Sequence, residues 1–188
     1  MNIRTFALRR LQPFALGFTL LSCLLFRFAA LPVHAQSNGT SAGGNWTQYE
    51  YEDKMTAARN VRFELISNAG QHDLYSQSRV EILCENGHWK GSNFTPGGRL
   101  GPPTHPGFWG QPKMEVMVRV DNRHHNQGWN WNGRFLAMDK GTTRELIGAR
   151  IFNVEFLGPS GPQIAEFSPG GIDLTRVSKA CGLVPKKH

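Results

Sequence analysis

From residue 61 onward, apolar side chains recur at every second position in short runs. That alternation limits what the chain can fold into more than any other feature. In "VRFELIS", Val61, Phe63 and Leu65 alternate with Arg62 and Glu64. In "RVEILC", Val80, Ile82 and Cys84 share one face. "MEVMVRVD" sets Met114, Val116, Val118 and Val120 against Glu115, Arg119 and Asp121. Further runs are "WNWNGRFLAM" from Trp129, "IFNVEFL" with Phe152, Val154 and Phe156, and "QIAEF" at 163–167. Successive side chains on a strand point to opposite faces, so each run describes a strand buried on one side and wet on the other. Such half-buried strands belong to antiparallel sheets.

Two segments switch to helical spacing. "TTRELIGAR" predicts a helix capped by Thr142, with Glu145 three residues on completing a capping box. "GIDLTRVSKACG" predicts a helix capped by Asp173, with Val177 and Cys181 on one stripe and Gly182 at its end. Seven or so strands with one or two short helices predict a mainly β protein, an antiparallel β-sandwich, with a small open barrel as the alternative.

Residues 1–35 have the layout of an export signal: basic Arg4, Arg9 and Arg10, then an apolar stretch, then Val33 and Ala35 where a signal peptidase reads. The segment holds four basic residues and no acidic ones. Of the chain's +7, the remainder therefore keeps 17 basic against 14 acidic residues, a net +3. That balance is ordinary for a soluble surface and gives no nucleic-acid footprint. Expected after the signal are a flexible linker over 36–45, one domain over 46–183 with no membrane span, and a solvated basic tail over 184–188.

Export implies an oxidising compartment, periplasmic or extracellular. Two cysteines, Cys84 and Cys181, remain after the leader. One intramolecular disulfide between them is the simplest outcome. Cys84 continues the apolar face of Val80 and Ile82, and Cys181 continues the stripe of Val177, so both sulfurs are expected inside.

The stretch "DNRHHNQGWNWNG", 121–133, gathers the side chains most suggestive of chemistry. It reads as a hairpin with a strand to residue 121, a polar loop over 122–128 and a second strand from Trp129. His124 and His125 are adjacent, so on extended backbone they diverge, and no zinc-type spacing accompanies them. No metal or other cofactor is expected. No nucleophile elbow or carboxylate pair stands out, and the expectation is a non-enzyme. Contact residues are sought instead. The segment 96–112 has five glycines and five prolines among 17 residues and predicts a long surface loop carrying His105, Phe108 and Trp109. Trp129 could offer a stacking surface if exposed. Arg119 and Asp121 share the wet face of their strand as an exposed pair.

These features resemble, in order, the VasI-type accessory proteins associated with type VI secretion and related exported bacterial proteins. The resemblance rests on Trp46 with "YEYEDKM", on "VEILC", on "VRVD" followed by Trp129, on "ELIGARIFNVEF", and on the close "FSPGGIDLTRVSKAC". It implies an accessory role without catalysis. The expectation is an exported binding protein of the cell envelope that contacts a protein partner. The alternative is a carbohydrate or small-ligand module using exposed tryptophans.

Overall fold

The computed structural model describes residues 39–68, 77–105 and 110–186. Ten strands and two helices follow in chain order: β1 Thr40–Ser41, β2 Trp46–Glu52, β3 Arg59–Ile66, β4 Arg79–Glu85, β5 His88–Thr95, β6 Lys113–Val120, β7 Arg123–Trp131, β8 Leu136–Met138, α1 Lys140–Leu146, β9 Phe152–Gly158, β10 Gly161–Phe167 and α2 Leu174–Cys181. The fold is mainly antiparallel β with two short helices and one disulfide, Cys84–Cys181. The alternation resolves as read: Val61, Phe63 and Leu65, then Val80, Ile82 and Cys84, then Met114, Val116, Val118 and Val120 are all buried.

Hydrogen bonding joins all ten strands into one sheet, in the order β1-β2-β3-β4-β5-β8-β7-β6-β9-β10. The sheet is strongly curled. Five strand spacings separate β5 from β10, about 24 Å if the sheet were flat. Yet the rings of Phe94 on β5 and Phe167 on β10 lie 6.2 Å apart, and Phe94 meets Phe156 on β9 at 5.1 Å. Between β5 and β7 lies the short strand β8, whose three residues pair with β5 on one side and β7 on the other. Two broad halves thus pack a common core, as in a sandwich, but the backbone ladder never breaks between them. Near the outer strands the sheet's ends also meet: Asn68 N donates to Glu166 O at 2.8 Å, and Trp46 Nε1 donates to Pro169 O at 2.8 Å.

The segment expected as a flexible linker is part of this closure from residue 40 onward. Thr40–Ser41 pair with β2, Ala42 is buried, and Asp173 N donates to Ala42 O at 2.7 Å. The reason lies in two pairs of glycines. Gly43 and Gly44 have positive φ and run directly against Gly171 and Gly170. A Cβ on either would stand 2.3 Å from a facing carbonyl oxygen. The glycines here permit backbone-to-backbone approach rather than looseness.

Three hairpins turn in two residues: Pro159–Ser160 joins β9 to β10, and the other two turn through positive φ. Asn86–Gly87, with φ of 49° and 82°, joins β4 to β5. Asp121–Asn122 joins β6 to β7, with Asp121 at φ 51°. Tight turns of this kind need positive φ, which Asn, Asp and Gly tolerate. The expected polar loop over 122–128 is therefore mostly strand, and His124 and His125 lie within the ladder, opposite Arg119 and Val118.

Helix α2 keeps its expected ends. Asp173 accepts from Thr175 N and Arg176 N, and Gly182 closes the helix in left-handed conformation. Its buried Val177 and Cys181 face the sheet, and the disulfide spans 97 residues with a Cα–Cα distance of 5.0 Å. Closing such a loop contributes about 5 kcal/mol in the chain-entropy picture. The cap of α1 differs from expectation. Asp139, not Thr142, caps it and accepts from Thr142 N, while Thr142 and Glu145 are buried. The basic tail is docked as far as it is described: Arg144 Nε donates to Val184 O, and Lys186 N donates to Arg144 O.

Candidate functional site

The strand alternation sends the two adjacent histidines to opposite sides of β7. The inward side carries His125, Gln127 and Trp129, and α1 packs over it. Trp129 is 1% exposed, so it is a core residue and no stacking platform. Its indole nitrogen donates to Gln127 Oε1 at 2.9 Å. An indole N–H can only donate, which fixes the orientation of the Gln127 amide. The amide nitrogen then points at His125 Nε2, 2.9 Å away, and donates to it. In this arrangement His125 Nε2 is the acceptor.

That nitrogen lies 3.6 Å from Glu145 Oε2. Two acceptors face one another, and Glu145 Oε2 is buried without a hydrogen-bond donor. The other carboxylate oxygen takes the ammonium of Lys186 at 2.6 Å. Thr142 Oγ1 completes the cluster between Gln127 Oε1 at 2.6 Å and Asp139 Oδ2 at 2.5 Å. This is a polar seam that stitches β7, α1 and the chain's end together. Among the described residues, no three His, Cys, Asp or Glu side chains are grouped to hold a metal ion.

The outward side is built differently. Four strands lie in the order β7-β6-β9-β10, and their registers set two rows of side chains across them. One row is His124, Arg119, Asn153 and Glu166; the next is Asn126, Met117, Glu155 and Ile164. The rows line a shallow groove of about 540 Å³. Met117 is 43% exposed and Ile164 64%. The groove's positive group, Arg119, sits on β6, and its carboxylates, Glu155 and Glu166, sit on β9 and β10. A second groove of about 240 Å³ continues past Met117 and Glu155 to Thr104.

The long loop borders this face. His105 exchanges both backbone hydrogen bonds with Lys113, at 3.0 and 2.8 Å, and its Nε2 lies 3.2 Å from Glu115 Oε1. It occupies the space beside the first half of β6, because β9 pairs only with Met117–Val120. Trp131 Nε1 donates to Gly101 O at 3.0 Å and ties the loop down from the other side. Phe108 and Trp109 fall outside the described residues.

Of the residues singled out in the sequence, Arg119 and His105 thus come to the same outward face. Asp121 does not join Arg119 as an ion pair. Its carboxylate accepts from Arg150 N and Ile151 N, at 2.9 and 3.0 Å, while Arg119 Nε donates to the Asp121 main-chain oxygen at 3.0 Å. Asp121 is a bracket between two turns. Sequence reasoning missed Met117, Glu155, Ile164 and Glu166 as surface neighbours. Each is visibly on a wet face, but only the pairing of β6 with β9 puts them together.

No family model, curated protein or solved structure matches the chain.

Proposed function

We propose that the protein is an exported, non-catalytic binding protein of the cell envelope that acts by contact with a protein partner. The observation that carries the reading is the outward face of β6, β7, β9 and β10. It joins two exposed apolar side chains to separated positive and negative groups in one open groove. Exposed apolar residues rimmed by polar ones mark contact surfaces. The leader-like residues 1–35 and the disulfide agree with export, since disulfides persist in oxidising compartments. The likeness of the ordered segments to VasI-type proteins suggests an accessory role, with secretion machinery as the setting. The inward seam of His125 and Glu145 is assigned to the fold.

The test is chemical cross-linking in the cells that make the protein, with wild type beside Arg119→Glu. The expected result is a cross-linked adduct in the envelope or medium fraction that disappears in the variant, with the cellular location unchanged. An adduct that persists in the variant, or a protein that stays in the cytoplasm with its leader uncut, would overturn the reading.

A further inference from the structure

We infer that the partner reaches this protein through an extended stretch of its own chain, which adds to the free edge of β7 as a further strand. The inference rests on the proposed contact role of the outward face, whose two rows begin at His124 and Asn126 on that same strand.

The edge follows from the direction of the backbone groups. Along an antiparallel strand, alternate residues turn their N–H and C=O to opposite edges. Trp131 N donates to Pro112 O, on the β6 side, at 2.7 Å. The odd-numbered residues of β7 therefore face β6, and the even-numbered ones face away from it. At the far end these are satisfied: Asn130 pairs with Ala137 of β8, and Asn132 N donates to Phe135 O at 3.0 Å. β8 reaches no nearer the turn than Asn130. His124, Asn126 and Gly128 thus direct their N–H and C=O groups to an edge with no strand beside it. Among the described residues, nothing else bonds these groups. All three residues are exposed, and the exposure of Gly128 is that of the main chain itself.

A cavity of about 400 Å³ marks the same edge, lined by Asn122, His124, His125 and Glu145 among others. The two histidines point to opposite faces of β7, so a space that touches both lies along the edge of the strand. β6 already holds the other edge. Glu145 lines the cavity from α1, and its Oε2 is buried without a donor. The Lys186 ammonium already sits on the other oxygen, so a neutral donor suits Oε2.

The spacing of the free groups selects the occupant. They recur at every second residue, about 6.8 Å apart. An extended peptide repeats its own N–H and C=O groups at that interval, and a helix or a sugar does not. In strand addition the main-chain bonds give affinity, and alternate side chains give selectivity. One set of side chains on the added strand continues the outward rows beside His124 and Asn126. A residue of the other set enters the cavity beside His125. A serine, threonine, asparagine or glutamine there supplies the donor that Glu145 Oε2 lacks.

Amide hydrogen exchange on the oxidised protein tests this, with a blocked heptapeptide of alternating threonine and valine as the probe. At about 2 mM peptide, exchange at His124, Asn126 and Gly128 should slow by about threefold or more. His125 and Gln127, already bonded to β6, should change little. The same peptide N-methylated at every residue has no donors left and should slow nothing. Asn126→Pro removes an N–H that β6 does not use, which an edge strand tolerates. It should abolish the slowing at His124 and Gly128, whereas Asn126→Ala should keep it. Retained protection at His125 and Gln127 shows that the proline variant has kept its ladder; if it has not, the methylated peptide decides alone. No slowing at the three amides, slowing by the methylated peptide, or slowing that survives Asn126→Pro in an intact ladder overturns the inference. Slowing on concentrating the protein without peptide makes a second copy the occupant and overturns it too. If the edge amides stay unprotected while Arg119→Glu still removes the cross-linked adduct, the strand addition fails and the binding face stands. If neither effect is seen, both fail.

Discussion

The two sides of β7 differ in what their polar groups do. Inward, Trp129, Gln127, His125 and Thr142 are joined by hydrogen bonds under α1, and Glu145 beside them takes the Lys186 ammonium. Outward, His124, Arg119, Glu155 and Glu166 stand in rows beside exposed Met117 and Ile164. The residue types are much alike; their surroundings are not. The inward groups bind the fold to itself, and the outward groups are left to bind something else. A histidine pair in a sequence therefore divides into one structural and one surface residue whenever it falls on a strand.

Substitutions on the two sides should separate cleanly. Trp129→Ala removes a fully buried indole and should cost about 3–5 kcal/mol in urea unfolding. The same truncation at His124, the neighbour that faces outward, should stay within about 0.5 kcal/mol. Comparable losses at the two positions would break the comparison.

Replacing both cysteines with alanine should lower stability by about 2–5 kcal/mol. It should leave the outward face's Arg119-dependent cross-linking intact, because the disulfide ties α2 to β4 and touches no residue of the groove. Thiol labelling of the denatured, unreduced protein should find Cys84 and Cys181 both blocked. Cross-linking lost along with the bond would mean that the two regions are coupled.

A smaller effect sharpens the inward assignment. Gln127→Leu leaves the indole N–H of Trp129 without its acceptor and removes the amide donor facing His125. The expected loss is about 1–3 kcal/mol, the cost of unsatisfied buried groups. The smallest effect belongs outside. Ile164→Ser should change stability by no more than about 0.5 kcal/mol and still weaken the Arg119-dependent cross-link measurably. If it destabilises the fold as Gln127→Leu does, the outward face is part of the core and the account is wrong there.

How much of this could be read beforehand depended on whether a strand buries apolar side chains at regular spacing. β3, β4, β6 and β9 do, and they were legible. β2 buries Trp46 and then Gln48, and β5 carries Gly91 and buries Ser92 and Phe94, so neither shows a clean apolar alternation. The Asn86–Gly87 pair was the available sign of β5, as a hairpin turn demands a strand on each side. The disulfide was legible because both cysteines continue apolar faces. The docking of Gly43–Gly44 on Gly170–Gly171 was not, since glycine-rich composition reads alike for a linker and for close backbone packing. Residues of the outward face were individually visible as wet positions. Their assembly was hidden because β6 pairs with β9 across two intervening strands and a helix, a register that no local pattern encodes.

The central claim, that the inward side holds the fold and the outward side makes the contact, is tested most directly by comparing backbone amide exchange of the protein alone with that of the protein in the envelope fraction that yields the cross-linked adduct. The account predicts slowed exchange centred on Met117, Arg119, His124, Asn126, Asn153, Glu155, Ile164 and Glu166. It predicts that exchange at His125, Gln127, Trp129 and Glu145 changes much less. Slowing centred on the inward seam, or none at all, would contradict it.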